Sequence, residues 1–361
     1  MTDLVLGIET SCDETAAAVV AGDGSIHANI VASQIADHSR YGGVVPEVAA
    51  RAHLGLIDGV IAAALEEAGI SITDLDAVAA TGGPGLIGGV LVGTVTAKAI
   101  ALGRNIPFHA INHLEGHALS ARLTEKVQFP YLLLLVSGGH TQLLEVTAPG
   151  QYRRYGTTMD DAAGEAFDKS AKILGLGMPG GPAIEKAAAG GNADVFDLPR
   201  PLRNKPGCHF SFSGLKTAVA TAHEKSIAPL ADEMARQQAT ADLAASLQAA
   251  IADSLASRSK RAMQQFITRF ATHASPDFVV AGGVAANSLV RQRLETVAKA
   301  EGFAFHAPPA GLCTDNAAMI AWAAIERARA GLAPDTLDFN PRPRWPLDPD
   351  ASPPPGRGVK P

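Results

Sequence analysis

Aromatic residues are sparse in this 361-residue chain, at 5%, and there are only three cysteines. With few rings to fill space, the interior must come from alanine, glycine and aliphatic side chains, which favours helices packed closely on sheets. Cys12, Cys208 and Cys313 lie far apart, form no CxxC pair and are odd in number. That pattern argues against a disulfide framework and fits a reducing, cytoplasmic setting. No run approaches the ~18 uninterrupted apolar residues of a membrane helix. The opening MTDLVLGIETS lacks a basic stretch followed by an apolar one, so neither a membrane partner nor export is expected. Basic residues are short as well: 30 Lys and Arg against 36 Asp and Glu give a net charge of −6. A dedicated nucleic-acid binder carries the opposite balance, so any RNA-facing surface must be local or supplied by a partner.

Hydrophobic residues reach 47% and charged residues 18%, a globular balance, and the length suffices for two separate cores. The organisation is an approximate duplication. Residues 3–33, DLVLGIETSCDETAAAVVAGDGSIHANIVAS, read as strand, polar turn, strand, glycine turn, strand; residues 131–156, YLLLLVSGGHTQLLEVTAPGQYRRYG, repeat that order. LDAVAATGGPGLIGGVLVGTVTAKAIALG (75–103) and FVVAGGVAANSLVRQRLETVAKAEG (278–302) each read as strand, glycine turn, helix. Two such halves describe an α/β fold of the duplicated actin, Hsp70 and sugar-kinase kind, two lobes around a nucleotide cleft. The division expected is a first lobe over 1–128 carrying a histidine pair and a second over 129–337 carrying the nucleotide turns. The last helix of the second lobe is expected to pack back on the first. A Pro-rich flexible tail over 338–361 completes the division. Pro46 opens a helix with Leu54, Ile57, Ile61, Leu65 and Ala68 as its apolar stripe, ended by Gly69. A long helix around 233–273 carries Leu243, Leu247, Ile251, Leu255, Met263, Phe266 and Phe270 on one stripe.

In Asn112-His113-Leu114-Glu115-Gly116-His117 the two histidines are four apart, share a helix face and can chelate one metal; the same spacing also suits plain surface histidines. Glu115 stands two residues after His113, not next to it, so the HExxH protease mechanism does not fit. Asp315, in Cys313-Thr314-Asp315-Asn316, is the candidate third ligand, although sequence alone favours a helix cap there, before AAMIAWAAIERARA. A His₂Asp set with open positions suits iron(II) or zinc better than magnesium. Glycine turns at Ser137-Gly138-Gly139-His140, Met178-Pro179-Gly180-Gly181-Pro182 and Ala281-Gly282-Gly283-Val284 let backbone amides approach phosphate or ribose. Asp160 to Lys169 reads as a helix with Asp161, Glu165 and Asp168 on one side. The first two are ordinary first-turn acids, and Asp168 is placed where it can meet a ribose hydroxyl. Basic clusters stand at Arg200, Arg203 and Lys205 and at Arg258, Lys260, Arg261 and Arg269, the latter either RNA-facing or merely solvating a long helix.

LGIETSCDET, YGGVVPE, GGPGLIGG, NHLEGH, LVSGGHTQL, DDAAGEAFDK, PGGP, FSFSGLKT, AGGVAAN and CTDNAAMIAW stand in the order found in the TsaD family. The chain resembles that family, the bacterial tRNA N6-adenosine threonylcarbamoyltransferases once named glycoproteases, from Leu4 to about Pro346. The resemblance implies transfer of the threonylcarbamoyl group from threonylcarbamoyl-AMP to N6 of adenosine 37, just 3′ of the anticodon, in tRNAs reading codons that begin with A. It implies an iron ion, with zinc second, on His113, His117 and Asp315. It implies an adenylate site on Val136, Ser137, Gly138, Gly139, His140, Asp168, Gly181, Glu185 and Asn287. The implied partners are tRNA, a fold-mate subunit of TsaB type and a small P-loop ATPase of TsaE type. Glu185 stands where many relatives have Asp, and Asn112 where some have histidine. Asp13 or Glu14, in the first polar turn, is the candidate acceptor of the amine proton. A kinase or a non-catalytic scaffold of the same fold has no need of the His₂Asp set.

Overall fold

The computed structural model describes residues 4–34, 38, 43–271 and 275–353. β1 (Leu4–Glu9), β2 (Glu14–Ala21) and β3 (Ile26–Ser33) form an antiparallel meander; β4 (Ala77–Gly83) and β5 (Phe108–Asn112) add parallel to β1, giving the order β3-β2-β1-β4-β5. β6 (Tyr131–Val136), β7 (Thr141–Ala148) and β8 (Gln151–Thr157) form a second meander. β9 (Asp277–Ala281) and β10 (Ala304–His306) add parallel to β6, giving β8-β7-β6-β9-β10. The two sheets are equivalent strand for strand. β1 and β6 read as unbroken apolar runs because both faces of each are covered.

Between β3 and β4 lies α1 (Pro46–Ala68), and between β4 and β5 lies α2 (Ile87–Arg104); α3 (His113–Thr124) follows β5 directly. α1 has Pro at its start and Gly69 in the left-handed conformation (φ 65°) at its end. Its buried face is Ala49, His53, Ile57, Val60, Ile61 and Ala64. Leu54, expected in that stripe, is 69% exposed, because the buried polar His53 takes the inward position one residue earlier. One face of the first sheet (Leu6, Ile8, Ala17, Val19, Val78) packs on α1 and α2 through Ile57, Val60 and Ala97.

The second lobe adds α4 (Ala163–Ile173), α5 (Gly180–Ala188), α6 (Ser213–Ala222), α7 (Glu233–Arg269) and α8 (Ser288–Ala300). The α7 stripe from Leu243 to Phe266 is buried as the spacing predicts, and Phe270 packs beside it. The helix expected from Asp160 begins only at Ala163. Asp160 is turned away to accept from the Phe212 amide at 2.8 Å and from the Ser211 and Ser213 hydroxyls at 2.5 and 2.8 Å. α9 (Ala318–Arg329) crosses to the other face of the first sheet, where Ala318 to Ile325 pack on Val5, Ala16, Ala18 and Ala79. Gly7 permits this: a Cβ there would lie 2.3 Å from the Ala317 carbonyl oxygen.

Residues 338–353 are not a free tail. Phe339 packs edge-on to Phe108, Leu347 is 8% exposed, and backbone bonds join Arg342 N to Gly82 O (2.7 Å) and Gly85 N to Pro343 O (3.3 Å). Asn112 Nδ2 donates to Trp345 O at 2.8 Å, and Arg154 N to Asp348 Oδ2 at 2.8 Å. Proline removes helical periodicity from this segment, but its aromatic and leucine side chains anchor it. Residues 354–361 lie outside the described residues.

Candidate active site

Three elements converge beside the β1–β2 turn. β5 ends at Asn112, whose side chain accepts from the Leu114 amide at 2.9 Å and so starts α3 at His113. His117 follows one turn later, its ring perpendicular to that of His113 at a centroid distance of 4.8 Å. Asp315, from the turn before α9, places Oδ1 at 3.0 Å from His117 Nε2 and 3.5 Å from His113 Nε2. The helix-cap alternative for Asp315 falls to its neighbour: Asn316 Oδ1 accepts from the Met319 amide at 3.0 Å. Asp315 is thereby left to the histidines.

The surroundings explain the charge states. Glu9, 1% exposed at the end of β1, accepts from the Ser11 amide and the Thr81 hydroxyl, both at 2.5 Å, and sits 2.9 Å from His113 Nδ1. His113 thus has a carboxylate on each ring nitrogen. Burial lowers its pKa, but Asp315 and Glu9 outweigh burial and hold it well above the ordinary value. Burial likewise raises Asp315, yet His113 and His117 draw it well below the usual carboxylate range. Glu14 shows the opposite balance: burial, then repulsion from Asp13 and Asp315, push it up to about 9. Two imidazole nitrogens and a carboxylate oxygen, with donor atoms all within 4.8 Å of one another amid further carboxylates, fit a divalent cation.

Glu115 faces elsewhere, as its spacing predicts. It accepts from the Gly150 amide (2.8 Å), the Tyr152 hydroxyl (3.1 Å) and Arg327 (3.1 Å), tying α3 to the β7–β8 turn and α9.

The nucleotide candidates form a hydrogen-bonded chain in the second lobe. The Ser137 to His140 turn closes through Ser137 N to His140 O at 2.8 Å, and α4 lies so close that a Cβ on Gly164 would meet Gly138 Cα at 2.6 Å. Asp168, on α4, accepts from the Gly180 amide at 2.8 Å, which brings Gly181 beside it. Glu185 accepts from the Ser288 amide at 2.9 Å, and Asn287 caps α8 through Val290 N (3.0 Å) while donating to Gln248 (3.1 Å). Gly282, at φ 99°, runs under Val136, whose carbonyl oxygen would lie 2.5 Å from an added Cβ. Gly138, Gly139, Gly181 and Gly283, by contrast, open onto free space. Burial raises the Asp168 carboxyl, and the Glu165 and Asp13 charges add to the shift.

Two residues escaped the sequence. Glu9 ends an apolar strand, and that out-of-pattern polar residue was its only signal. His53 lies inside an apolar helix face, where its Nε2 donates to the Cys12 carbonyl at 3.1 Å and the Thr15 hydroxyl meets Nδ1 at 2.8 Å. The basic stripe on α7 is corrected: Arg258 is 2% exposed and donates to the Lys205 and Gly207 carbonyls at 2.8 and 3.0 Å, so it cannot contact RNA phosphate.

Two matching five-stranded sheets, with a His–His–Asp cluster beside the first, define a duplicated α/β protein with the actin- and sugar-kinase-like fold. The sequence model of TsaD, tRNA N6-adenosine threonylcarbamoyltransferase, matches residues 25–322, and the chain belongs to that family. The Brucella anthropi tRNA N6-adenosine threonylcarbamoyltransferase is 58% identical over 359 residues, 98% of each chain. That of Rhizobium johnstonii is 59% identical over 352 residues, 96% of this chain and 95% of the relative. Solved structures share the fold at low identity. Component A of the Acidaminococcus fermentans (R)-2-hydroxyglutaryl-CoA dehydratase has TM-score 0.52 at 17% identity, covering 91% of this chain and 99% of that one. HypF of T. kodakarensis has TM-score 0.58 at 16% identity, covering 92% and 48%.

Proposed function

We propose that the chain catalyses the family reaction at this cleft: N6 of adenosine 37 attacks the carbamoyl carbon of threonylcarbamoyl-AMP, the carbon–oxygen bond to phosphate breaks, and AMP leaves. The observation that carries the reading is the His113–His117–Asp315 cluster, whose donor atoms lie within 4.8 Å of one another. An adenine amine is a poor nucleophile, so the residues act chiefly by positioning. Gly138, Gly139, Gly181 and Gly283 leave room for the adenylate, and Asp168 and Glu185 stand beside it as hydrogen-bond acceptors. Asp13 or Glu14 receives the amine proton. His113, His117 and Asp315 would hold iron(II), or zinc in second place, which supplies Lewis acidity and an anchor for substrate oxygen.

The partners follow from surface chemistry. α1 and α2 are adjacent and leave Leu54, Leu91, Val95 and Leu102 between 43% and 69% exposed, an apolar face suited to a fold-mate subunit of TsaB type. A TsaE-type P-loop ATPase completes the proposed assembly. Both helices are long and apolar enough by composition to cross a membrane, but each has a face built into the first-lobe core. That packing and three free thiols support a cytoplasmic protein without a membrane partner. The test is incubation of the purified protein and its partners with threonylcarbamoyl-AMP and tRNA. AMP release matched by threonylcarbamoyladenosine supports the proposal; ATP turnover to ADP by this chain alone, without the ATPase partner or tRNA, points instead to a kinase.

A further inference from the structure

The chain is acidic overall, yet one region of the second lobe reverses that sign. A groove of about 370 Å³ lies between α7, α8 and the segment around residue 200, lined by Arg200, Arg203, Arg258, Lys260 and Arg293 with Asp253. Asp253 is shared by Arg200 at 3.2 Å and Arg293 at 3.6 Å, and Lys260 is matched by Glu301 at 2.8 Å. Five cations thus stand against two carboxylates. Arg258 gives up none of its charge to a carboxylate: it is buried under the Lys205–Gly207 segment, bonded to two carbonyls, with Nη2 unpartnered. A full positive charge fixed beneath the groove in a poorly polarisable interior adds to the field above it. A shallower pocket lined by Gly207, Arg261, Gln264, Gln265 and Thr268 continues along α7. From Asp253 to Thr268 the helix runs about 22 Å at 1.5 Å per residue.

We infer that this face of α7 and α8 is a seat for the phosphate backbone of the tRNA substrate, an inference that rests on the reaction proposed above. The lining decides between ligands. Among the described residues no aromatic ring lines either pocket, so nothing there stacks a base or an adenine ring. Guanidinium, ammonium, amide and hydroxyl groups strung along a helix match repeated phosphates read without sequence. The seat is Arg200, Arg203, Lys260 and Arg293 around the buried Arg258 charge, and so differs from a simple stripe of α7 cations.

The test is equilibrium binding of tRNA to the full chain over a range of salt, comparing wild type with the double variant Arg203→Glu, Arg293→Glu. Both side chains are exposed, so the fold is expected to survive. Arg153→Glu, on β8, serves as a charge control. Two lost phosphate contacts should flatten the log–log salt slope by roughly 1.4 to 1.8 and weaken binding at least about tenfold at low salt. Binding of a non-hydrolysable adenylate analogue should stay at the wild-type value. Unchanged tRNA affinity and slope, with wild type still modifying tRNA, overturn the seat and leave the reaction standing. Loss of binding to an acidic partner protein, with tRNA binding intact, also overturns the RNA assignment. A wild-type assembly that makes no threonylcarbamoyladenosine overturns the reaction itself.

Discussion

Glu9→Gln is a one-atom change that should weaken metal binding without removing a ligand. The carboxylate of Glu9 accepts from Ser11 N and Thr81 Oγ1 at 2.5 Å and sits 2.9 Å from His113 Nδ1. It therefore keeps a proton on Nδ1 and leaves Nε2 aimed at Asp315 as the free donor. A glutamine must turn its NH₂ toward one of these neighbours. Turned to Nδ1, it donates there and moves the His113 proton to Nε2, the nitrogen needed for metal. Turned the other way, it sets donor against donor at the Ser11 amide. The first arrangement should cost about 10- to 100-fold in metal affinity, or roughly 1.4 to 2.7 kcal/mol; the second keeps an acceptor on Nδ1 and lowers stability instead. The assay is competitive titration of iron(II) or zinc against a chromophoric chelator, with thermal melting to establish folding. A Glu9→Gln variant with both wild-type metal affinity and wild-type melting would refute the argument that Glu9 sets the His113 tautomer.

Three further outcomes follow from the same structure. Burial and the Asp13 and Asp315 charges let Glu14 keep its proton up to about 9, against an ordinary 4.5, so above pH 4.5 the folded state of the metal-free protein retains a proton the unfolded state has lost. Stability should therefore fall with rising pH across that window, by up to about 1.4 kcal/mol per unit from this group, and Glu14→Gln should flatten the fall in melts from pH 5 to 9. Arg258→Ala removes a buried guanidinium holding the Lys205 and Gly207 carbonyls and should cost roughly 1.5 to 3 kcal/mol in denaturant unfolding; a shift within error would show those bonds to be idle. Gly139→Val and Gly283→Val meet open space and should leave melting unchanged while weakening an adenylate analogue, whereas Gly282→Val, at φ 99° and 2.5 Å from a carbonyl oxygen, should impair folding. Equal analogue affinity in the first two variants would remove those turns from the site.

The duplicated sheets were legible because the central strands, covered on both faces, are short unbroken apolar runs bounded by glycine or polar turns. The His113–His117 pair was legible for a similar reason, since helix geometry alone brings residues four apart to one face. What local pattern cannot reveal is long-range pairing. Glu9 meets His113 only because β1 and β5 flank β4 in one sheet, and Arg258 reads as a solvated helix cation until the 205–207 segment is seen to cover it. Phe339, Trp345 and Leu347 sit among prolines without periodicity, so their anchoring of the last segment appears only once the first lobe is folded beneath them. Asp315 was ambiguous for a different reason. A turn before a helix calls for a cap, and the adjacent Asn316 meets that need equally well.

The central claim is that this chain forms threonylcarbamoyladenosine through the His113–His117–Asp315 cluster. Mass analysis of tRNA nucleosides from cells depleted of the protein, and complemented with wild type or with the folded His117→Ala variant, tests it most directly. The account predicts that the modified nucleoside disappears on depletion, returns with wild type and stays absent with His117→Ala. Undiminished threonylcarbamoyladenosine after depletion, or its full return with the variant, would contradict it.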